Sequence, residues 1–245
     1  MNGKLRRARG GFILTATLLA PLAVGAAEKS ADKPAPAVSI DWVKLPAGSY
    51  QMGSSQWSDT RPVHKVSVKP FEMAKTPVTN KQYRACVEAG ACTPIKACDG
   101  YRAGENVPAT CVSWEQAKAF AKWVGGRLPT DSEWEYAARD LGRSSKYPWG
   151  NDRVTPREVC TNAKATTPQG LCDMSTVWEW VEDWYHPGYA GAPADGSAWE
   201  DAGWDRVYVG GGFYFRDKDG KLVTPCRRLD PSTRRAELGF RIVKG

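Results

Sequence analysis

Arg127-Leu128-Pro129-Thr130-Asp131-Ser132-Glu133-Trp134-Glu135-Tyr136-Ala137-Ala138-Arg139 contains a helix start written in local chemistry. Thr130 followed three residues later by Glu133 forms a capping box, in which the hydroxyl accepts from the N3 amide and the N3 side chain reaches back to the N-cap amide. The pair predicts a helix opening at Asp131. Its acids are interleaved with Trp134 and Tyr136, and a charge that shares the burial of an aromatic is tolerated when it is paired. Glu133, Glu135 and Arg139, together with Asp183 and Arg241 further along, therefore read as paired scaffold charges rather than as a general acid and base.

Upstream of this stretch the same grammar recurs. Ser113 with Gln116 makes another capping box, and Ala117, Phe120, Ala121 and Val124 form an apolar stripe that ends at Gly125-Gly126. Thr79 caps a third helix that runs to the stop at Gly90. Before it, residues 42–45 read as a strand leading into the Pro46-Ala47-Gly48 turn, and residues 63–69 as a strand with Val66 and Val68 on one face. Downstream of Leu141 the pattern changes to Gly, Pro, Trp and short polar stretches, with strand-like pieces at 177–181, 206–209 and 239–243. Most of the 11 tryptophans fall between residues 114 and 204, a density that makes them packing anchors for irregular backbone. There is no fixed-period repeat and no linker between the helices and the Gly- and Pro-rich half, so residues 39–245 are expected to form one α+β domain.

Composition and charge narrow the function. At 42% hydrophobic and 25% charged residues over 245, the chain is globular and neither disordered nor a coiled coil. The net charge of +7 is concentrated at the start: Lys4, Arg6, Arg7 and Arg9 precede the apolar run of residues 11–26, which closes on Val24-Gly25-Ala26. A basic start, a short Pro-broken apolar stretch and small residues for cleavage are the parts of a secretory signal peptide, assigned to residues 1–26. Residues 27–38, charged and rich in Pro and Ala, are a linker. The remaining domain is mildly basic, so no nucleic-acid partner is expected; it is expected in the periplasm or secreted, and not integral to a membrane after cleavage.

Export bears on the cysteines. Outside the cytoplasm Cys86, Cys92, Cys98, Cys111, Cys160, Cys172 and Cys226 read as a disulfide framework with one left over. No CxxC pair is present, which argues against a zinc ribbon or a thioredoxin-like site. Short loops close most easily, so local pairing is expected, Cys86 with Cys92, Cys98 with Cys111 and Cys160 with Cys172, leaving Cys226.

A set of stretches in order completes the reading: residues 46–53 (PAGSYQMG), 62–66 (PVHKV), 76–83 (TPVTNKQY), 112–117 (VSWEQA), 127–139, 147–150 (YPWG), 170–174 (GLCDM), 177–180 (VWEW) and 239–241 (GFR). Together they resemble the formylglycine-generating enzyme, or sulfatase-modifying factor, family. The resemblance implies a C-type-lectin-like fold of low regular-structure content, often stabilised by calcium. Founding members are copper-dependent oxidases that convert a sulfatase cysteine to formylglycine, using two thiolates that hold Cu(I) shortly after an Arg-Gly-Gly-Ser stretch. Here that stretch is Val209-Gly210-Gly211-Gly212, the first cysteine position carries Phe215, and Cys226 is the candidate catalytic thiol. One thiolate does not make a soft two-sulfur site, so copper is not expected. The iron-dependent sulfoxide synthases of the superfamily use three histidines, and the chain has two, His64 and His186.

The resemblance also implies calcium at two loops, one around Asn162 and the other using the side chains of Asp173 and Glu179 with backbone carbonyls near Ser175 and Val177, oxygens of the kind a hard cation takes. Alternatively Asp173 and Glu179 are structural acids bonded to loop amides or to an arginine. Three functions stay open at this point. The first is binding or maturation of an extracytoplasmic peptide or protein partner without copper chemistry. The second is an enzyme of periplasmic siderophore maturation of the pyoverdine type, and the third a true formylglycine-generating oxidase.

Overall fold

In a computed structural model, residues 38–55, 58–143, 148, 158–174, 176–201, 205–210 and 227–245 are described. They lie within one compact unit, residues Pro34–Gly245. The chain opens with β1 (Trp42–Leu45), β2 (Gly48–Met52), β3 (His64–Val68) and β4 (Phe71–Ala74). Three helices follow, α1 (Asn80–Glu88), α2 (Trp114–Trp123) and α3 (Asp131–Ala138), and then β5 (Trp178–Trp184), β6 (Arg206–Gly210), β7 (Arg227–Leu229), β8 (Leu238–Phe240) and β9 (Val243–Lys244). Among the described residues no helix is long and apolar enough to cross a membrane.

All three helices start where the sequence places them. Thr79, Ser113 and Thr130 each accept from the N3 amide while Gln82, Gln116 and Glu133 return to the cap amide, so both halves of every box are made. Each box satisfies two amides that would otherwise lack a partner at the helix start. Helix α3 is buried along its whole length, from Asp131 to Ala138, and packs on β2, β3, β5 and β6.

The strands form three sheets, and their order shows how the chain closes. Strands β1, β4 and β9 make an antiparallel three-stranded sheet that places the two ends of the domain on either side of β4. Strands β2 and β3 form a hairpin, with Tyr50 opposite Val66. Strands β7, β6, β5 and β8 form a mixed four-stranded sheet in which β5 and β8 run parallel. The piece read as one strand over 239–243 is two: β8 pairs with β5, β9 pairs with β4, and Arg241 and Ile242 carry the chain from one sheet to the other. Strands β2, β4 and β7 carry no strand reading in the sequence, where Gly48 reads as part of a turn; all three are short and are defined by their partners.

Two apolar clusters fill the interior. One gathers Leu45, Met52, Val66, Phe71, Met73, Trp134, Val181 and Val207 between the hairpin, α3 and the mixed sheet. The other gathers Tyr83, Phe120, Trp114, Trp180, Phe240 and Ile242 around α1 and α2. Trp180 anchors irregular backbone, its indole donating to the carbonyl of Val112 at 3.0 Å, whereas the Trp114 indole ties α2 to β5 by donating to the carbonyl of Val181 at 2.8 Å.

Candidate functional site

The segment from Glu158 to Trp178 crosses the end of the mixed sheet and is fixed by short-range bonds. A disulfide joins Cys160 to Cys172, and others join Cys86 to Cys92 and Cys98 to Cys111. The amide of Asp173 donates to Ala165, and its carbonyl accepts from the amide and hydroxyl of Thr176 at 3.2 and 3.0 Å. Asp173 itself sits at φ 58°, a left-handed conformation that aspartate tolerates better than most side chains. The loop thereby delivers two acids into the interior, Asp173 just before β5 and Glu179 within it.

Glu179 is wholly buried and fully engaged. Its two oxygens accept from Nε and Nη2 of Arg241 at 2.7 and 2.9 Å, and Oε2 also accepts from the Trp134 indole at 2.6 Å. The remaining Arg241 donors reach the carbonyls of Ala74 and Cys172. A buried ion pair is tolerable under these conditions, with bidentate geometry and the other donors satisfied. Arg241 thus pins together β4, β5, the Cys172 loop and the crossover between β8 and β9.

Asp173 is equally buried but only half engaged. Its Oδ2 accepts from the amide of Cys160 at 2.6 Å, whereas Oδ1 is buried with no hydrogen-bond partner among the described residues. Burial pushes the Asp173 carboxyl above its ordinary range, against the pull of the Cys160 amide and of Arg241. Asp173 lines a cavity of about 210 Å³ with Gly100, Arg102, Val107, Pro108, Thr110, Glu158, Val159, Thr176, Val177, Ala236 and Glu237. The cavity lies where β5 and β8 begin, the edge at which Gly210 of β6 pairs with Trp178.

At the two loops expected to hold calcium, the side-chain oxygens already take part in bonds within the protein. Asp173 and Val177 share the cavity, but both oxygens of Glu179 are taken by Arg241 and Trp134. The side-chain oxygen of Asn162 caps a single 3₁₀ turn by accepting from Lys164. Among the described residues no group of three or more His, Cys, Asp or Glu is arranged to hold a metal ion. Recruiting Glu179 to a cation would require undoing a buried bidentate pair. Cys226, with Phe215 and the glycines from Gly211, falls outside the described residues.

The other scaffold acids are paired as their burial requires. Glu135 meets Arg139 at 2.6 Å and accepts from the amide of Gly53, and Glu133 makes a bidentate pair with Arg127. Asp183 accepts from the amides of Asp131 and Trp199, both at 2.8 Å, tying the start of α3 to the loop after β5. Burial drives the Asp183 carboxyl up to about 6 despite those two amides. A second, wider groove of about 870 Å³ runs past Lys69, Lys118, Lys122, Arg127, Glu182 and Glu200 on another face. Arg102 and Glu237, which border the Asp173 cavity with Glu158 and Thr176, come from outside residues 158–178, and no spacing in the sequence marks any of the four.

With this geometry in place, the chain can be compared with known proteins. It matches the family described as "Sulfatase-modifying factor enzyme 1-like domain" over residues 27–245. It is 30% identical over 247 residues to the serine/threonine-protein kinase pkn1 of Chlamydia pneumoniae, covering 89% of this chain but only 40% of the length of that kinase. It is also 30% identical over 275 residues to the formylglycine-generating enzyme of Streptomyces coelicolor, covering 81% of this chain and 87% of that enzyme. Among solved structures, PvdO from Pseudomonas aeruginosa matches with a TM-score of 0.66 at 26% identity, over 82% of this chain and 93% of PvdO. Boxed helices, mixed sheet and family match coincide over the same residues, and the chain belongs to the sulfatase-modifying factor family, with its α+β fold.

Proposed function

We propose that this protein acts outside the cytoplasm as a sulfatase-modifying-factor-like domain that binds or matures a peptide or protein partner, without copper-dependent formylglycine synthesis. The supporting observation is the state of the thiols. Six cysteines are consumed in three disulfides, and Phe215 stands where the family resemblance places a thiolate, so Cys226 has no second cysteine in the chain with which to hold Cu(I). The same three bridges suit an oxidising compartment, as does the apolar leader of residues 1–26. The match to part of the pkn1 kinase supports a module that serves other machinery.

The test is direct. Purified protein loaded with Cu(I) and supplied with oxygen should leave a sulfatase-motif peptide unchanged in mass. Conversion of the peptide cysteine to formylglycine would overturn the reading and restore the oxidase.

The likeness to PvdO favours a second reading, an enzyme of periplasmic siderophore maturation. A deletion strain separates the two: accumulation of an immature siderophore supports the enzyme, and an unchanged metabolite profile counts against it.

A further inference from the structure

We propose that the Cys160–Cys172 disulfide is a redox latch: a dithiol reductant opens it, residues 158–162 come away from the fold, and the wall of the Asp173 cavity opens with them. The latch is a property of the fold and goes beyond the partner proposed above. Its two halves are held very differently. Cys172 is buried, its amide donating to the carbonyl of Lys75 at 2.7 Å and its carbonyl accepting from Arg241 Nη2 at 3.2 Å. Cys160 is half-buried and borders an open groove of about 690 Å³. Among the described residues, two hydrogen bonds tie 158–162 to other parts of the fold, from the Val159 amide to the Asn106 carbonyl at 2.8 Å and from the Cys160 amide to Asp173 Oδ2 at 2.6 Å.

Exposure and backbone conformation single out this bridge, since strained or exposed disulfides are the labile ones. Both cysteines of Cys86–Cys92 are buried. Cys98–Cys111 joins a half-buried residue to a buried one, as Cys160–Cys172 does, but it has one left-handed end, Cys111 at φ 59°. The latch has two, Cys160 at φ 55° and, beside Cys172, Asp173 at φ 58°. That conformation is costly for residues other than glycine, and Cys160 can relax from it once it is released. The Thr166 hydroxyl donates to Cys172 Sγ at 3.7 Å and is in place to stabilise a thiolate there. In the exchange, a thiolate of the dithiol attacks Cys160 Sγ and displaces Cys172 as thiolate, and the second thiol of the reductant then attacks its own sulfur in the mixed disulfide and releases Cys160. The dithiol leaves as a disulfide, and two electrons and two protons stay on Cys160 and Cys172. Glu158 and Val159, which line the Asp173 cavity, move out with the freed segment.

The experiment is a graded reduction of the purified, fully bridged protein, with dithiothreitol and separately with a CxxC dithiol oxidoreductase, stopped by alkylation and mapped by mass spectrometry. Cys160–Cys172 should open before either of the other bridges. In the species so reduced, amides of residues 158–162 should exchange with solvent roughly tenfold faster or more, while α3 and β5 stay as protected as before. Cys160→Ser combined with Cys172→Ser should show the same local acceleration without any reductant. Should that variant fail to fold, the order of reduction and the exchange of the reduced species carry the test. Another bridge opening first, all three opening together, reduction that leaves the exchange of 158–162 unaltered, or reduction that unfolds the whole domain would overturn the latch. Each of those outcomes leaves the proposed function standing. Formylglycine synthesis by protein with all three bridges intact would sink the function and leave the latch.

Discussion

Asp173 and Glu179 lie six positions apart on one segment, are both buried, and meet opposite fates. Glu179 receives three donors from two side chains of distant elements and has become part of the frame. Asp173 receives one donor from its own disulfide-linked loop and keeps an oxygen without a partner beside a cavity. Burial alone therefore does not decide how far an acid is bound into the frame. The number of donors that the fold brings to each oxygen does, because an unmet buried acceptor is costly to keep unless something else meets it.

The contrast can be broken from the Glu179 side first. Arg241→Met should destabilise the fold by about 3–5 kcal/mol, since it strands a buried carboxylate, and adding Glu179→Met should recover most of the loss. Denaturant unfolding reads both, and a cost under about 1 kcal/mol for the single substitution would remove Glu179 from the frame. Asp183 tests the same idea through pH. Burial raises its folded value to about 6 from an ordinary 3.8, so the folded state holds the extra proton between those limits. Its stabilising contribution is whole below about pH 4 and is lost as pH rises through 6, by roughly 3 kcal/mol. Unfolding free energies measured across pH 4–7 should show that decline in the unsubstituted protein and a flatter profile in Asp183→Asn.

Smaller effects sharpen the comparison. Trp134→Phe keeps the ring in the core and deletes one donor to Glu179 Oε2, which should cost about 2 kcal/mol in the same unfolding assay. Asp173→Asn should cost less than about 1 kcal/mol, because the amide oxygen can replace the acceptor for Cys160 and Oδ1 makes no bond to lose. Were Asp173→Asn as damaging as Arg241→Met, the two acids would be equivalent and the distinction would fail.

How far the sequence reaches differs sharply between helices and strands. The capping boxes are contacts between residues three apart: the two that the sequence names form where it places them, and the Thr79 cap is completed into a third box by Gln82. The pairing of the cysteines over short loops is similarly local. Strands β2, β4 and β7 went unread because five, four and three residues carry too little alternation to stand out, and pairing with other strands is what defines them. The crossover at Arg241 is hidden for a related reason. Residues 239–243 read as one apolar strand, yet the guanidinium is turned into the core to meet Glu179, 62 positions away, and the strand breaks around it. At the candidate site the sequence singles out Asp173, Val177 and Glu179 together, and the structure gives the two acids different work. Arg102, Glu158 and Glu237 escape a reading of spacing altogether, since a cavity wall is assembled from whatever segments meet there.

The family, the helix starts and the absence of a paired thiol near Cys226 are properties of residue order, because caps, motifs and cysteine counts are set by neighbours a few positions apart. Which sheet each strand joins, which acid is neutralised by Arg241 and which is left facing a cavity depend on contacts between residues tens of positions apart. Those contacts exist only once the chain has closed, since the cost of an unmet buried charge is determined by what the finished fold places around it.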